Sequence, residues 1–195
     1  MEGFRNKISN EEVAELEAIR FGGEIVIVDN DSALEETCQV LAKERVLGFD
    51  TETRPSFKAG VTNKVALLQL STYERCYLIR LCKVKLSNKL LSILQRSDIM
   101  KIGADVAGDL RSLGKLRSFT PRGFVDLQSE VAKVGIEDKS LRKMSGIILG
   151  KRVSKAQRLS NWEAQTFTEQ QKMYAATDAW VCLKIYDVLT DNLKS

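Results

Sequence analysis

Two carboxylates, Asp50 and Glu52, follow a short apolar run and lie two residues apart. The run of Val46, Leu47 and Phe49 predicts a buried strand, and the period of two in a strand places both carboxylates on the same side. Two ionised carboxylates that close repel each other, and a divalent cation removes the repulsion. Oxygen ligands suit Mg²⁺ or Mn²⁺, which serve in phosphodiester chemistry. Because acidic residues also terminate ordinary strands, the pair alone does not distinguish a metal site from the end of an ordinary strand.

A tyrosine and an aspartate, Tyr174 and Asp178, lie four residues apart in a segment with helical periodicity, 169–193. On a helix that spacing stacks two side chains on one face. In a metal site, Asp178 would supply a third ligand, while the Tyr174 hydroxyl would hold or deprotonate a water. Asp109, near the first turn of a helix predicted to extend to about residue 115, would be a fourth carboxylate. We therefore expect these residues and the first pair to form one site.

The absence of histidine from the sequence removes whole classes of chemistry. A Ser-His or Cys-His nucleophile pair, a His-ligated zinc site and a histidine general base are all excluded. The four cysteines form no C-x-x-C pair and lie in apolar segments, so we interpret them as reduced and structural. They are Cys38, Cys76, Cys82 and Cys182.

The composition is that of an ordinary globular domain, with 195 residues, 44% hydrophobic and 29% charged. A net charge of +4 is compatible with a polyanionic partner but is not evidence for one. The first seven residues lack the apolar run of a signal peptide, and no stretch is apolar enough to span a membrane. We expect an intracellular protein, cytoplasmic in the first place, with the nucleus left open.

The elements that position these side chains alternate between strands and helices. Turn and periodicity signals predict an α/β domain whose mixed central sheet is covered by helices on both faces, with the two strands at 63–72 and 75–81 in an antiparallel meander. In such sheets, sites form at the carboxyl ends of strands. The remaining predicted strands are 24–29, 46–53, 100–103 and 123–127. The predicted helices are 9–20, 33–43, 86–95, 127–134, 140–149 and 169–193, together with the helix that has Asp109 near its first turn and extends to about residue 115.

Three motifs occur in order along the chain: Phe49-Asp50-Thr51-Glu52-Thr53, Asp109-Leu110-Arg111-Ser112-Leu113, and Tyr174-Ala175-Ala176-Thr177-Asp178-Ala179. They resemble the motifs of the 3′–5′ exonuclease superfamily with four acidic residues and a tyrosine, especially the ribonuclease D and Werner syndrome exonuclease-like domains. The resemblance covers about residues 24–193. It implies a ribonuclease H-like fold, with residues 1–23 as an N-terminal helical extension and 24–195 as the exonuclease domain.

The resemblance further implies a function. A metal-dependent 3′–5′ exonuclease would remove nucleoside 5′-monophosphates from single-stranded or 3′-ended DNA or RNA, by a two-metal-ion mechanism with Mg²⁺ or Mn²⁺. Asp50, Glu52 and Asp178 would hold the first ion, Asp50 and Asp109 the second, the latter through water. Tyr174 would orient the attacking water. The residues expected to contact substrate are Thr51, Thr53, Phe57, Leu67 and Trp162, the last of which also fits a packing role.

Asp105 departs from the resemblance, because related enzymes often have Asn or Gly at this position. The basic segment 151–158 is interpreted either as a solvated surface or as a contact to phosphates. Two other functions stay open: a catalytically weak module that binds nucleic-acid ends, and a nuclease specific for short oligonucleotides. The sequence does not decide between DNA and RNA, because that choice depends on how a pocket meets the 2′-hydroxyl.

Overall fold

A six-stranded mixed sheet forms the centre of the protein in a computed structural model that describes residues 3–56 and 63–194, the last three as backbone only. The strand order is β1-β4-β3-β2-β5-β6. The pairs β2/β3 and β3/β4 are antiparallel, whereas the other pairs are parallel. This confirms the predicted mixed sheet. The strands are β1 (Glu24–Val28), β2 (Val46–Thr53), β3 (Val65–Ser71), β4 (Arg75–Arg80), β5 (Met100–Gly103) and β6 (Phe124–Asp126).

Helices cover both faces of this sheet, as predicted. Most of them begin at a Ser, Asn or Asp whose side chain accepts a hydrogen bond from the first turn. The last helix begins after Thr168, which exchanges hydrogen bonds with Gln171. The helices are α1 (Asn10–Glu15), α2 (Asp31–Leu41), α3 (Asn88–Leu94), α4 (Val106–Leu116), α5 (Leu127–Lys133), α6 (Leu141–Leu149) and α7 (Glu169–Lys194).

The first helix is shorter than predicted. It was expected to reach residue 20, but Leu16 adopts an extended backbone and ends the helix. The chain then forms an isolated bridge between Ala18 and Arg152, and a bond between backbone atoms of Ile19 and Arg152 supports it. A tertiary contact therefore overrides the local helical pattern. The division at residue 23 stays a prediction, although Ile8, Val13 and Phe21 of this segment are buried in the same structure.

The two faces of the sheet have separate cores. On the first face, Phe49 and Leu47 of β2 pack with α2, α3 and α4. On the second face, α7 crosses the sheet and packs with α5, α6 and the apolar residues of β3 and β4. Because side chains alternate along a strand, residues 48, 50 and 52 of β2 face α7. The central strand thus presents its carboxylates to the longest helix.

Among the described residues, no helix has the length and apolar character needed to cross a membrane.

Candidate active site

Strand β2 carries the first two acidic residues beyond the point where its neighbour ends. Only Val46, Leu47 and Gly48 pair with β5, whereas Asp50 and Glu52 lie further along β2. The edge of β2 is therefore open beside both carboxylates. A cleft of about 300 Å³ lies there, lined by Asp50, Thr51, Glu52, Ala104, Asp105, Gln128, Lys139, Ser140, Leu141, Tyr174 and Asp178. We call it the acidic cleft.

A glycine brings the third acidic residue to the same place. Gly48 faces α7, and a Cβ atom there would lie 2.0 Å from the backbone oxygen of Ala179. The helix can approach the strand this closely only because residue 48 has no side chain. Small buried residues of α7, Ala175, Ala176 and Ala179, complete the contact. Asp178, adjacent to Ala179, consequently lies beside the carboxylates of β2.

Asp50, Glu52 and Asp178 form a cluster in which one carboxylate oxygen from each lies within 4.8 Å of the others. The Oδ1 atom of Asp178 is buried and makes no hydrogen bond within the described chain. A buried carboxylate oxygen without a partner is costly, and a coordinated cation removes that cost. An all-oxygen donor set fits Mg²⁺ or Mn²⁺. The residues present therefore fit the predicted metal site.

The pKa values of the clustered carboxyls are raised mainly by burial and, to a smaller extent, by repulsion between the carboxylates. Burial, reinforced by Asp178 and Asp109, raises the pKa of Glu52 to about 9. Burial raises the pKa of Asp178 to about 7, although a hydrogen bond from Tyr174 opposes the shift. The pKa of Asp50 is raised well above its usual value by burial and by Asp109, Asp178 and Glu52. Without a bound ion, the protonated form of these carboxyls is thus favoured, and a divalent cation would displace the protons when it binds.

Asp109 lies apart from the three-carboxylate cluster. It belongs to α4 on the first face, where its Oδ1 accepts a hydrogen bond of 2.6 Å from the hydroxyl of Thr51. Burial raises the pKa of Asp109 to about 7, and the bond from Thr51 opposes that shift. Its charge nevertheless raises the pKa of both Asp50 and Glu52, so the four carboxylates share one electrostatic environment. The hydroxyl of Thr51 therefore holds the carboxylate of Asp109 in position.

Asp105 precedes α4 with a left-handed backbone, φ 58° and ψ 42°. Among the described residues other than glycine, it is the one with positive φ. Asn, Asp and Gly adopt this conformation more readily than other residues do. The position therefore requires a left-handed backbone conformation, which an aspartate can adopt. Its charge contributes to the raised pKa of Asp109.

Tyr174 lies one helical turn before Asp178 and lines the acidic cleft with it. Its ring packs against Trp162, with 6.0 Å between ring centroids, and Trp162 in turn contacts Phe167. Burial and the charges of Asp178, Glu52 and Asp50 raise the pKa of the phenol. Tyr174 therefore stays protonated at neutral pH. Its hydroxyl can donate or accept a hydrogen bond to a water, and it does not serve as an anionic base there.

The residues expected to contact substrate have different surroundings. Thr53 is half-buried at a bulge after Glu52. Leu67 and Trp162 are fully buried in the core beneath α7, and their contact with a substrate stays a prediction. Leu67 packs there because it pairs with Glu52 on the helix-covered face, and Trp162 supports the ring of Tyr174. Phe57 lies outside the described residues.

Gln69 is a residue of this site that the sequence analysis missed. It pairs directly with Asp50 across the β2/β3 ladder, so both side chains lie on the face covered by α7. Gln69 is fully buried, and neither polar atom of its amide is hydrogen-bonded within the described chain. A signal was present, because Gln69 is the polar residue within the apolar run 65–70. Such a residue in a buried strand points to a site.

The raised pKa values predict that the ion-free protein loses stability as pH rises. Between about pH 5 and 7, the folded carboxyls of Glu52, Asp109 and Asp178 hold protons that the unfolded chain has released. The free energy of unfolding therefore falls, by about 1.4 kcal/mol for each pKa unit of elevation that is titrated. Thermal melting in chelator at pH 5, 6 and 7 measures this slope.

Two comparisons test the origin of that slope. Glu52→Gln should flatten it, whereas Asp31→Asn, an exposed change on α2, should leave it unchanged. Excess Mn²⁺ should reverse the sign, because ligands must be ionised to bind the metal. A melting temperature in chelator that rises between pH 5 and 7 would contradict the raised pKa values.

A mixed six-stranded sheet with helices on both faces is the ribonuclease H-like fold, and an acidic cluster lies beside its central strand. Residues 25–194 match the family model described as 3′-5′ exonuclease. The chain therefore belongs to the 3′-5′ exonuclease family. This confirms the expected family, which includes domains related to ribonuclease D and to the Werner syndrome exonuclease.

The chain is similar to a mouse relative, the bifunctional 3′-5′ exonuclease/ATP-dependent helicase WRN, with 35% identity over 164 residues. That match covers 80% of this chain and 12% of the mouse protein. The Nibbler EXO domain of Aedes aegypti has the same fold, with a TM-score of 0.83, 24% identity, and coverage of 91% of this chain and 93% of that domain. Ribonuclease D of Trypanosoma brucei in complex with RNA U12 is also similar in fold, with a TM-score of 0.76, 18% identity, and coverage of 87% of this chain and 63% of that one.

Proposed function

We propose that this chain hydrolyses single strands of nucleic acid from a free 3′ end and releases nucleoside 5′-monophosphates, by a mechanism that uses two divalent cations. The observation that carries the proposal is the cluster of Asp50, Glu52 and Asp178, in which a buried oxygen of Asp178 has no hydrogen-bond partner in the part of the chain that the structure describes. Membership of the 3′-5′ exonuclease family supports the direction of cleavage. The RNA complex of a structural neighbour supports a nucleic-acid substrate.

The residues divide between two ion positions. Asp50, Glu52 and Asp178 would hold the first ion, and Asp50 with Asp109 the second. Bound Mg²⁺ or Mn²⁺ would supply positive charge that activates water and stabilises the departing 3′ oxygen. Thr51 fixes the carboxylate of Asp109 through its hydroxyl. The burial of the cluster keeps these charges in a low-dielectric environment, where their interactions with a phosphate are stronger than in water.

Tyr174 acts on the attacking water. Its phenol is protonated and lies at the wall of the acidic cleft beside Asp178. Trp162 packs against its ring and limits the positions that the hydroxyl can take. A water held by this hydroxyl next to the carboxylates would be oriented for in-line attack on a phosphate in the cleft. The leaving oxygen is the 3′ oxygen of the preceding nucleotide.

Cleavage of substrates labelled at the 5′ end tests the proposal. Single-stranded DNA, a recessed duplex and RNA are each incubated with Mg²⁺ or Mn²⁺. We expect a ladder of products that shortens from the 3′ end, no digestion of a circular single strand, and no activity in chelator. Equal digestion of the circle, or full activity in chelator, would overturn the proposal.

The same set of substrates resolves the alternatives. A nuclease specific for short oligonucleotides would cleave a trimer well and a 30-mer poorly. A binding module would retain the strands in a mobility-shift assay without shortening them. Comparison of DNA with RNA of the same sequence shows whether the cleft admits a 2′-hydroxyl.

A further inference from the structure

Gln69 places an amide without a hydrogen bond in the buried centre of the sheet. The residue is 0% exposed, and neither Nε2 nor Oε1 of its amide is hydrogen-bonded within the described chain. An unpaired buried amide destabilises the folded state, and nearly all buried polar groups in native proteins have a partner. Proteins keep such costly groups chiefly at functional sites. The amide of Gln69 therefore indicates a role other than the stability of the fold.

The neighbours of Gln69 on the face covered by α7 include one carboxylate. Along β3, the residues on the same face are Leu67, which is apolar, and Ser71, whose hydroxyl already donates to a backbone oxygen at 2.8 Å. Leu78 of β4 pairs with Gln69 on one side, and Asp50 of β2 pairs with it on the other. Directly opposed residues of an antiparallel pair have Cβ atoms about 4.5–5.5 Å apart. A hydrogen bond between a glutamine amide and an aspartate carboxylate can span that separation.

Asp50 differs from Asp109 in how its carboxylate is held. The hydroxyl of Thr51 donates to Asp109 at 2.6 Å, so a side chain fixes that carboxylate. Asp50 receives a hydrogen bond from the backbone N–H of Thr51, and within the described chain no side chain donates to it. Carboxylates that bind metals are themselves hydrogen-bonded to other protein groups, which fix their orientation. Gln69 is the donor that the β2/β3 ladder places opposite Asp50.

The chemistry of the two groups determines which atom of the amide contacts the carboxylate. An ionised carboxylate only accepts hydrogen bonds, and Nε2 is the donor of a glutamine amide. Each carboxylate oxygen has two lone pairs, so a carboxylate that binds a cation can still accept a hydrogen bond. Asp50 can therefore bind an ion and accept from Nε2 of Gln69 at the same time.

We propose that Gln69 is a positioning residue, whose amide Nε2 donates a hydrogen bond to the carboxylate of Asp50 when that carboxylate binds a divalent cation. This inference rests on the proposed function, because it requires that Asp50 bind an ion. The hydrogen bond stabilises the ion-bound protein and orients the ligand, whereas the same amide destabilises the fold when no ion is bound. Gln69 thus increases the affinity for the ion at the expense of the stability of the ion-free protein.

Gln69→Met tests the assignment, because methionine has an unbranched apolar side chain and no amide. Loss of the donor should raise the Kd for Mn²⁺, measured by isothermal titration calorimetry, by about 10–100-fold. In chelator, the melting temperature of the variant should equal or exceed that of the parent, since an unpaired buried amide is replaced by an apolar group. Cleavage of a 3′ end by the variant should be slow at low Mn²⁺ and should approach the parental rate at saturating Mn²⁺.

Two controls match this change in chemistry and in position. Gln39→Met makes the same substitution on α2, at an exposed residue whose amide donates to the side chain of Glu35. Ser71→Ala removes a buried hydroxyl from the same face of β3, at a position that pairs with Gly48 and not with a carboxylate. Both variants should bind Mn²⁺ with the parental Kd.

The possible results separate this role from a structural one. A parental Kd for Mn²⁺ in Gln69→Met would overturn the assignment. Gln69→Leu is measured in parallel, and melting temperatures in chelator well below the parental value in both variants would assign the amide to the fold and overturn its role toward Asp50. A parent protein that neither binds Mn²⁺ nor cleaves a 3′ end would instead overturn the proposed function.

Discussion

We expect Asp178→Asn to lower kcat/KM for 3′-end cleavage by about 10³-fold. Asp178 provides a buried oxygen that has no hydrogen-bond partner among the described residues, and the amide removes a negative charge from the proposed ion position. Loss of several kcal/mol of transition-state stabilisation corresponds to a rate change of this size. The variant should also lose ion-induced stabilisation, which for the parent is about 2.7 kcal/mol at 100 times Kd. Cleavage assays and thermal melting with and without Mn²⁺ measure both effects.

The matched control for this change is Asp187→Asn. Asp187 lies on the same helix and accepts a hydrogen bond from Tyr73 at 2.7 Å, outside the acidic cluster. Its variant should retain both the rate and the response to Mn²⁺, apart from a small loss of stability. If Asp178→Asn melts with the same ion dependence as the parent, Asp178 does not bind the ion.

Tyr174→Phe should slow cleavage by about 10²–10⁴-fold while the ion-induced rise in melting temperature stays nearly unchanged. In the proposed mechanism the hydroxyl orients water without ligating either ion, so its removal should affect the reaction and leave metal binding intact. The ring still packs against Trp162, and the fold is therefore retained. Single-turnover rates and melting curves across a Mn²⁺ titration separate the two properties.

The pH profile gives a second test of Tyr174. Because its pKa is raised, the phenol does not titrate between pH 6 and 9. We therefore expect parent and Tyr174→Phe to differ by a constant factor across this range. Tyr186→Phe, a change on the same helix outside the cleft, serves as control. Cleavage by Tyr174→Phe at the parental rate would show that Tyr174 is only a packing residue.

Local sequence patterns were sufficient to predict the strand and the helix that hold the clustered side chains, β2 and α7. The period of two in β2 correctly places Asp50 and Glu52 together, and the spacing of four in α7 places Tyr174 beside Asp178. The same periodicities distinguish strands from helices, because the residues of a buried face recur every second position in a strand and every third or fourth position in a helix. That these elements meet at one site was expected from the chemistry of their side chains and from the resemblance, because periodicity does not specify which helix crosses which strand.

Long-range contacts account for what the sequence did not reveal. Thr51 and Asp109 are 58 residues apart and meet across two elements. The burial of Leu67 depends on the helix that covers its strand, and the position of Gln69 beside Asp50 depends on the pairing of β2 with β3. The early end of α1 follows from a bridge to Arg152. In each case the deciding neighbour is distant in the chain, where single-sequence patterns carry no information.

The close approach of Gly48 to Ala179 has a consequence for how the domain opens. Strand β2 and helix α7 touch through backbone atoms, in the centre of the sheet, with buried residues on both sides. Segments of this kind exchange their amide protons only when the whole domain unfolds, whereas loops exchange through local opening. The carboxylate cluster is thus anchored in the part of the molecule that opens last. Fluctuations at the rim of the cleft can therefore occur without moving the carboxylates, and the arrangement of the cluster is lost only when the whole domain unfolds.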